Sequence, residues 1–355
     1  MLPFRRPGGV HPVIIMNPSI RKTLIVVISF LCLGIMPGTN GCDKKRVFKE
    51  TRSLMGTAVS VEISGISRSA AGPIMAEIWA EAERLEEIFS RYLAGSEVSR
   101  VNREASRKPV RVGEEMLSVL ERSRQISRMT GGAFDITIAP LLKLWGFFPE
   151  RKGRVPAPAE IKNALQRVDW RSVVIDRGER SVRLLRPGME IDLGGLAKGY
   201  VVDRITALLI ERGVESALVN AGGDIYCLGE RPGGGEWRIG VEHPRKDGQV
   251  LEVLRLRDRA VASSGDYQNC FIRSRKRYSH IIDPRTGRPA DSAVAETTVL
   301  APNCLVADAL ATAVFVLGAG EGMELLNDDP EVEGIVVTEE EDDLKLYYSA
   351  GLMKN

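Results

Sequence analysis

Three groups of residues have the types and the spacing to do chemistry. The first is Asp192-Leu193-Gly194-Gly195-Leu196-Ala197-Lys198-Gly199-Tyr200. A short apolar strand, two glycines and a helix start make an anion site. The glycines let backbone approach a phosphate, and a helix N-terminus offers free N–H groups. Lys198 adds a positive charge in the first turn, and Asp192 places a carboxylate toward the same ligand. The spacing is neither a Walker A loop nor the dinucleotide G-x-G-x-x-G pattern. A plain strand-to-helix turn has the same pattern.

The second group is Asp308 and Thr312, which share one helix face. Leu305, Val306, Leu310, Val314 and Phe315 flank them. A carboxylate in so apolar a helix is costly without a partner. A hard cation such as Mg²⁺ suits a carboxylate and a hydroxyl, completed by carbonyls, water and phosphate. A hydrogen bond to a neighbouring loop would also satisfy Asp308. The third is His280 in Tyr278-Ser279-His280-Ile281-Ile282-Asp283-Pro284. Of 3 His in the chain, it alone heads an apolar strand that ends in a turn. A lone His often has a structural role, but near metal and phosphate it can act as general base or acid. Weaker signals are the small-residue turns Gly131-Gly132-Ala133-Phe134-Asp135, Asn220-Ala221-Gly222-Gly223-Asp224 and Ser263-Ser264-Gly265-Asp266-Tyr267. They would line a flat or phosphorylated ligand, or serve as ordinary hairpin turns.

The elements that position these residues are legible in outline. Val59, Val61 and Ile63 alternate with polar residues after the turn Met55-Gly56-Thr57, which predicts a strand. Ile74, Ile78, Ala82, Leu85 and Phe89 recur at helical spacing. Met116–Met129, Ala197–Arg212 and Leu305–Leu317 read as further helices, and Arg151–Pro158 as an exposed loop. Strands are expected at Val173–Ile175, Val182–Leu184, Ile191–Leu193, Leu218–Val219, Ile225–Tyr226, Trp237–Val241 and Val250–Leu256. A last hairpin, Gly334–Thr338 with Leu344–Tyr348, turns at Glu339–Asp343. Strands in adjacent runs with single inserted helices predict an α+β fold with largely antiparallel sheets.

Composition sets the class. The chain has 355 residues, 44% hydrophobic and 27% charged, as in globular proteins. Lys and Arg total 49 against 47 Asp and Glu, a net charge of +2, so no broad basic field exists for nucleic acid. Cys and His lie too far apart for a zinc module. The run Leu24–Ile35 is shorter than the ~20 residues of a spanning helix. With Arg21 and Lys22 before it and Gly38-Thr39-Asn40-Gly41 after it, it reads as a signal peptide. The exit at Gly41-Cys42 resembles a bacterial lipoprotein signal, so residues 1–41 are expected to be a lipoprotein leader with Cys42 acylated, an uncleaved anchor or a plain signal peptide being the alternatives; Met16, followed by Asn17 to Lys22, is the expected start of translation. Residues 42–50 would be a tether and 51–350 a single catalytic domain. Export would leave Cys227, Cys270 and Cys304, enough for one disulfide at most.

Together these blocks resemble the ApbE family, the FAD:protein FMN transferases. The resemblance runs from about Phe48 to about Tyr348. It rests on Met55-Gly56-Thr57, Ser90-Arg91-Tyr92, Ser96 to Asn102, Gly132 to Asp135, Ile191 to Gly199, Asn220 to Asp224, Ser279 to Pro284 and Ala307 to Thr312, in family order. It implies a cleft between lobes where FAD touches Met55, Tyr92, Ala133, Phe134, Asp135, Asp192, Lys198 and the His280-Ile281 backbone. It implies Mg²⁺ held by Asp308, Thr312 and the Gly195 carbonyl, with Asp308 essential to catalysis. Where some members carry a second acidic ligand this chain has Ala311, and Arg91 stands where the family suggests Thr. The implied reaction moves FMN from FAD to a Thr or Ser hydroxyl of an acceptor protein and releases AMP. His280 is the candidate catalytic base, with Asp283 orienting it. The implied acceptors are flavoprotein subunits of membrane redox complexes. The implied location is a bacterial membrane surface facing the periplasm or exterior. Alternatives are Mg²⁺-dependent hydrolysis of FAD to FMN and AMP, or a non-catalytic flavin-binding lipoprotein.

Overall fold

Alternation decides the centre of the molecule: Val59, Val61 and Ile63 are fully buried, and the polar residues between them face outward. A computed structural model describes residues 47–148, 153–340 and 343–354. The leader, Met16, Cys42 and residues 42–46 of the tether lie outside the described residues.

Along the chain, β1 (Val47–Leu54) and β2 (Thr57–Ser64) precede α1 (Arg68–Phe89) and α2 (Glu97–Glu104). Next come β3 (Val110–Arg111), α3 (Glu114–Met129), α4 (Ala139–Trp145) and α5 (Pro158–Leu165). The hairpin β4 (Val173–Asp176) and β5 (Ser181–Leu184) leads to α6 (Ala197–Glu211), β6 (Ser216–Ala221) and β7 (Asp224–Leu228). Then follow β8 (Trp237–Glu242), β9 (Val250–Leu256), β10 (Arg259–Gly265), β11 (Cys270–Arg273) and β12 (Lys276–Ser279). The chain closes with β13 (Ile282–Asp283), β14 (Arg288–Pro289), β15 (Val294–Ala301), α7 (Cys304–Asp328), β16 (Glu333–Glu340) and β17 (Asp343–Tyr348).

The main sheet runs β1-β2-β6-β7-β10-β15-β16-β17, and its neighbours pair antiparallel. α7 packs on β10 and β15, α6 packs on α7, and α1 packs on α6. The fold is α+β, as the strand pattern predicts. α7 is the one helix among the described residues long and apolar enough to cross a membrane. It serves as core instead, with Ala307, Ala309, Ala311, Ala313 and Val314 fully covered. Gly199 permits the close crossing of α6 on α7, because a Cβ there would lie 2.4 Å from the Cys304 carbonyl oxygen.

Several elements differ from expectation. Val47 to Glu50 belong to β1 and are not tether. α1 starts at Arg68, capped by Ser67, and runs through Pro73. α2, α4 and α5 were not anticipated, and the expected loop ends where Pro158 opens α5. Residues 151–152 of that loop lie outside the described residues. Ile191–Leu193 is not a strand: Asn102 holds Ile191 at both its N–H and its carbonyl (2.7 and 2.9 Å). α7 continues to Asp328 across a break at Gly318, whose φ is +84°. No disulfide joins Cys227, Cys270 or Cys304; the first and last are buried and the middle one half-buried.

Candidate active site

A cleft of about 600 Å³ opens beside the N-terminal ends of α6 and α7. Met55, Tyr92, Ala133, Phe134, Asp135, Asp192, Gly195, Lys198, His280, Ile281, Asp308 and Thr312 all line it. Residues separated by most of the chain therefore converge on one cavity. Met55 and Gly56 form the β1–β2 turn with φ of +54° and +73°, the conformation a two-residue hairpin needs. The Met55 N–H is fixed by the Glu86 carboxylate at 2.7 Å.

The α6 side of the cleft is built around Asp192. Its N–H donates to the Ile136 carbonyl at 2.7 Å, and its Oδ1 accepts from Gly194 N–H at 2.7 Å. Its Oδ2 forms an ion pair with Arg91. Arg91 also lies over the rings of Tyr92 and Phe148, at 5.0 and 4.4 Å. Asp192 is thus not a bare ligand-facing carboxylate; it folds the Gly-Gly turn and fixes a guanidinium at the cleft wall. Asp135 is likewise occupied. Its carboxylate accepts from the Thr137 N–H (2.7 Å), the Thr137 hydroxyl (2.6 Å) and the Trp170 N–H (3.0 Å). Burial raises its pKa, opposed by those bonds. It staples the loop that presents Ala133 and Phe134, and all three residues line the cleft.

On α7, Asn303 caps the helix through the Val306 N–H (3.0 Å). Asp203 of α6 accepts from the N–H groups of Cys304 and Leu305. Asp308 and Thr312 follow one turn apart on the cleft side. The Thr312 hydroxyl lies 3.3 Å from both the Asp308 carbonyl and the Ser264 hydroxyl. Lys198 reaches across from α6: its Nζ is 3.0 Å from Asp308 Oδ2, 2.8 Å from Asp224 Oδ2 and 3.2 Å from the Gly194 carbonyl. Burial alone would lower the Lys198 pKa, but the two carboxylates outweigh it and hold the ammonium protonated. Asp224 was legible only as the end of a small-residue turn. Burial and the nearby Asp308 push its carboxyl well above the usual range, against the pull of Lys198.

His280 follows β12, its backbone N–H bonded to the Asn269 carbonyl at 2.9 Å. Its Nδ1 is buried without a hydrogen-bond partner among the described residues. Burial lowers its pKa to about 4, so the imidazole is neutral at pH 7. Asp283 does not orient it. Its carboxylate binds the Arg285 N–H and guanidinium at 2.8 to 3.1 Å.

The donors fit a hard divalent cation. Among the described residues no three His, Cys, Asp or Glu cluster to hold a metal. Asp308, Thr312 and Gly195 do line one cleft, where they would offer a carboxylate, a hydroxyl and a carbonyl. Thr312 Oγ1 lies 3.4 Å from where a Gly195 Cβ would stand. One carboxylate with neutral oxygens, finished by substrate phosphate and water, is the Mg²⁺ pattern. Ala311 is fully buried, and its carbonyl accepts from Thr297 at 2.7 Å, so no second acidic ligand comes from that position.

The sequence profile described as the ApbE family matches residues 55–336. The chain belongs to the ApbE family. A relative from Vibrio cholerae named FAD:protein FMN transferase is 33% identical over 335 residues, covering 93% of this chain and 97% of its own. One of the same name from Treponema pallidum is 33% identical over 348 residues, covering 92% and 93%. The solved flavin transferase ApbE from Vibrio cholerae superposes with a TM-score of 0.79 at 31% identity, over 87% of this chain and 99% of that one. The ApbE protein of Thermotoga maritima gives a TM-score of 0.79 at 33% identity, with the same coverage. Family members of known structure thus share this mixed α+β architecture across the whole described domain.

Proposed function

We propose that this protein transfers the FMN portion of FAD to a Thr or Ser hydroxyl of an acceptor protein, releasing AMP, with Mg²⁺ as cofactor. One observation carries it. Asp308, Thr312, Gly195, Lys198 and His280 meet in a single cleft, in a chain whose similar relatives are named FAD:protein FMN transferase.

The residues divide the work. Asp308, Thr312 and the Gly195 carbonyl would hold the metal. Bound there, Mg²⁺ would supply charge neutralisation to a pyrophosphate. The first turn of α6 offers backbone N–H groups to phosphate oxygens, and Lys198 adds a cation there. The Ala133-Phe134 loop, Tyr92 and the backbone at His280-Ile281 form an apolar and aromatic wall for the flavin. The acceptor hydroxyl oxygen forms a bond to the FMN-side phosphorus. The bond from that phosphorus to the bridging oxygen breaks, and AMP leaves with that oxygen. The hydroxyl proton passes to the neutral His280 imidazole. Most of the rate advantage comes from positioning and charge stabilisation.

The proposal extends to the front of the chain. Its leader pattern supports export and a lipid anchor at Cys42, which would set the cleft beside flavoprotein subunits of membrane redox complexes. The test is incubation of the purified protein with FAD, Mg²⁺ and a candidate acceptor domain. Flavin fluorescence on the denatured acceptor together with AMP supports transfer. AMP without label means hydrolysis, and neither means a flavin binder.

A further inference from the structure

Lys198 sits where a cation belongs. Two buried carboxylates and a carbonyl surround its ammonium: Asp308 at 3.0 Å, Asp224 at 2.8 Å and Gly194 at 3.2 Å. Asp224 and Asp308 are only 2% and 4% exposed. Oxygen donors of this kind are what a divalent cation takes. Asp308 therefore has two claims on it, as a metal ligand and as half of the Lys198 clamp. An ammonium 3.0 Å from a ligating oxygen repels an incoming metal ion strongly in a buried site. Loading the metal requires the ammonium to move off Asp308, and a side chain only 26% exposed moves more readily to another carboxylate than to water. Asp224 is that partner. It stands at the start of β7, a different element from α7, so it can hold Lys198 while Asp308 turns to the metal.

We propose that Lys198 is a resident stand-in for the metal ion, and that Asp224 is the positioning residue that receives its ammonium when the metal loads. The idea rests on the assignment of Asp308 as a metal ligand. It goes beyond that assignment by making metal affinity a competition settled by a residue that does not itself ligate. It also ties metal loading to Lys198, which is left paired with Asp224 alone and directed at the phosphate site.

The test is titration of the purified protein with Mn²⁺ alone, without FAD, read by calorimetry. Circular dichroism checks the fold of each variant. Lys198→Met removes the competitor and should tighten Mn²⁺ binding about tenfold or more. Asp224→Asn leaves Lys198 with Asp308 as its only carboxylate and should weaken binding by a similar factor. In the double variant the loss should be rescued, since the competitor is gone. If Asp224 were a direct metal ligand or a merely structural residue, it would still matter without Lys198, and the double variant would bind clearly more weakly than Lys198→Met, which overturns the inference. Unchanged affinity in Lys198→Met overturns it as well. Asp308→Ala separates the two ideas: if it binds Mn²⁺ as tightly as the native protein, the metal assignment itself fails.

Discussion

Arg91 and Asp192 form an ion pair inside the cleft. Both side chains are largely covered, at 19% and 5% exposure. The pair joins the end of α1 to the Gly-Gly turn before α6, and it places one of the two cleft-lining cations, Arg91 and Lys198, beside that turn. Arg91→Ala leaves a buried carboxylate without its partner. The expected result is a stability loss of about 1–3 kcal/mol in denaturant unfolding. FAD affinity should also fall, read by flavin fluorescence. Unchanged stability and affinity would mean that the pair is incidental.

His280 gives a pH signature. Its pKa falls from 6.5 to about 4 on folding, because burial disfavours the imidazolium. Between those values the unfolded chain binds the extra proton, so stability rises with pH across that window and is lost as pH falls through it. His280→Gln should flatten that segment of the stability profile. Transfer should persist at pH 5, because the imidazole is still neutral there. A rate that falls with a midpoint at the ordinary His value would contradict the assignment.

Asp203 is a helix cap supplied by a neighbouring helix. It accepts from the N–H groups of Cys304 and Leu305 at 2.6 and 2.9 Å, and burial raises its pKa to about 6 against those bonds. Asp203→Ala should cost about 1–2 kcal/mol of stability. It should also weaken Mn²⁺ binding, since it loosens the turn of α7 that carries Asp308. A loss of stability with metal affinity intact would confine Asp203 to the fold.

Much of the site was legible in the sequence because its signals are local. Asp308 and Thr312 announce themselves by i, i+4 spacing in an apolar helix, and Lys198 by its place after two glycines. Asp224 was not, since its role exists only where β7 meets α6 and α7. Asp192 and Asp135 line the cleft as the sequence suggested, but the partners that hold them are less legible: Arg91 and Trp170 reach them from distant positions, and Thr137 from two residues on. Among the elements, β1 was hidden because Lys49 to Ser53 are exposed, so this edge strand shows no apolar alternation. Ile191–Leu193 shows that alternation and yet is tied by the Asn102 side chain in place of a strand ladder. α4 and α5 are about two turns long, too short for helical periodicity to stand out.

The central claim is that Asp308 and its cleft carry out phosphoryl transfer from FAD to a protein hydroxyl. The most direct measurement is the intact mass of an acceptor domain after incubation with FAD, Mg²⁺ and either the native protein or Asp308→Ala, with AMP quantified alongside. The account predicts one FMN unit added per acceptor and one AMP released with the native protein, and neither with a folded Asp308→Ala variant. An acceptor labelled equally well by Asp308→Ala, or AMP formed by the native protein while the acceptor mass stays unchanged, would contradict it.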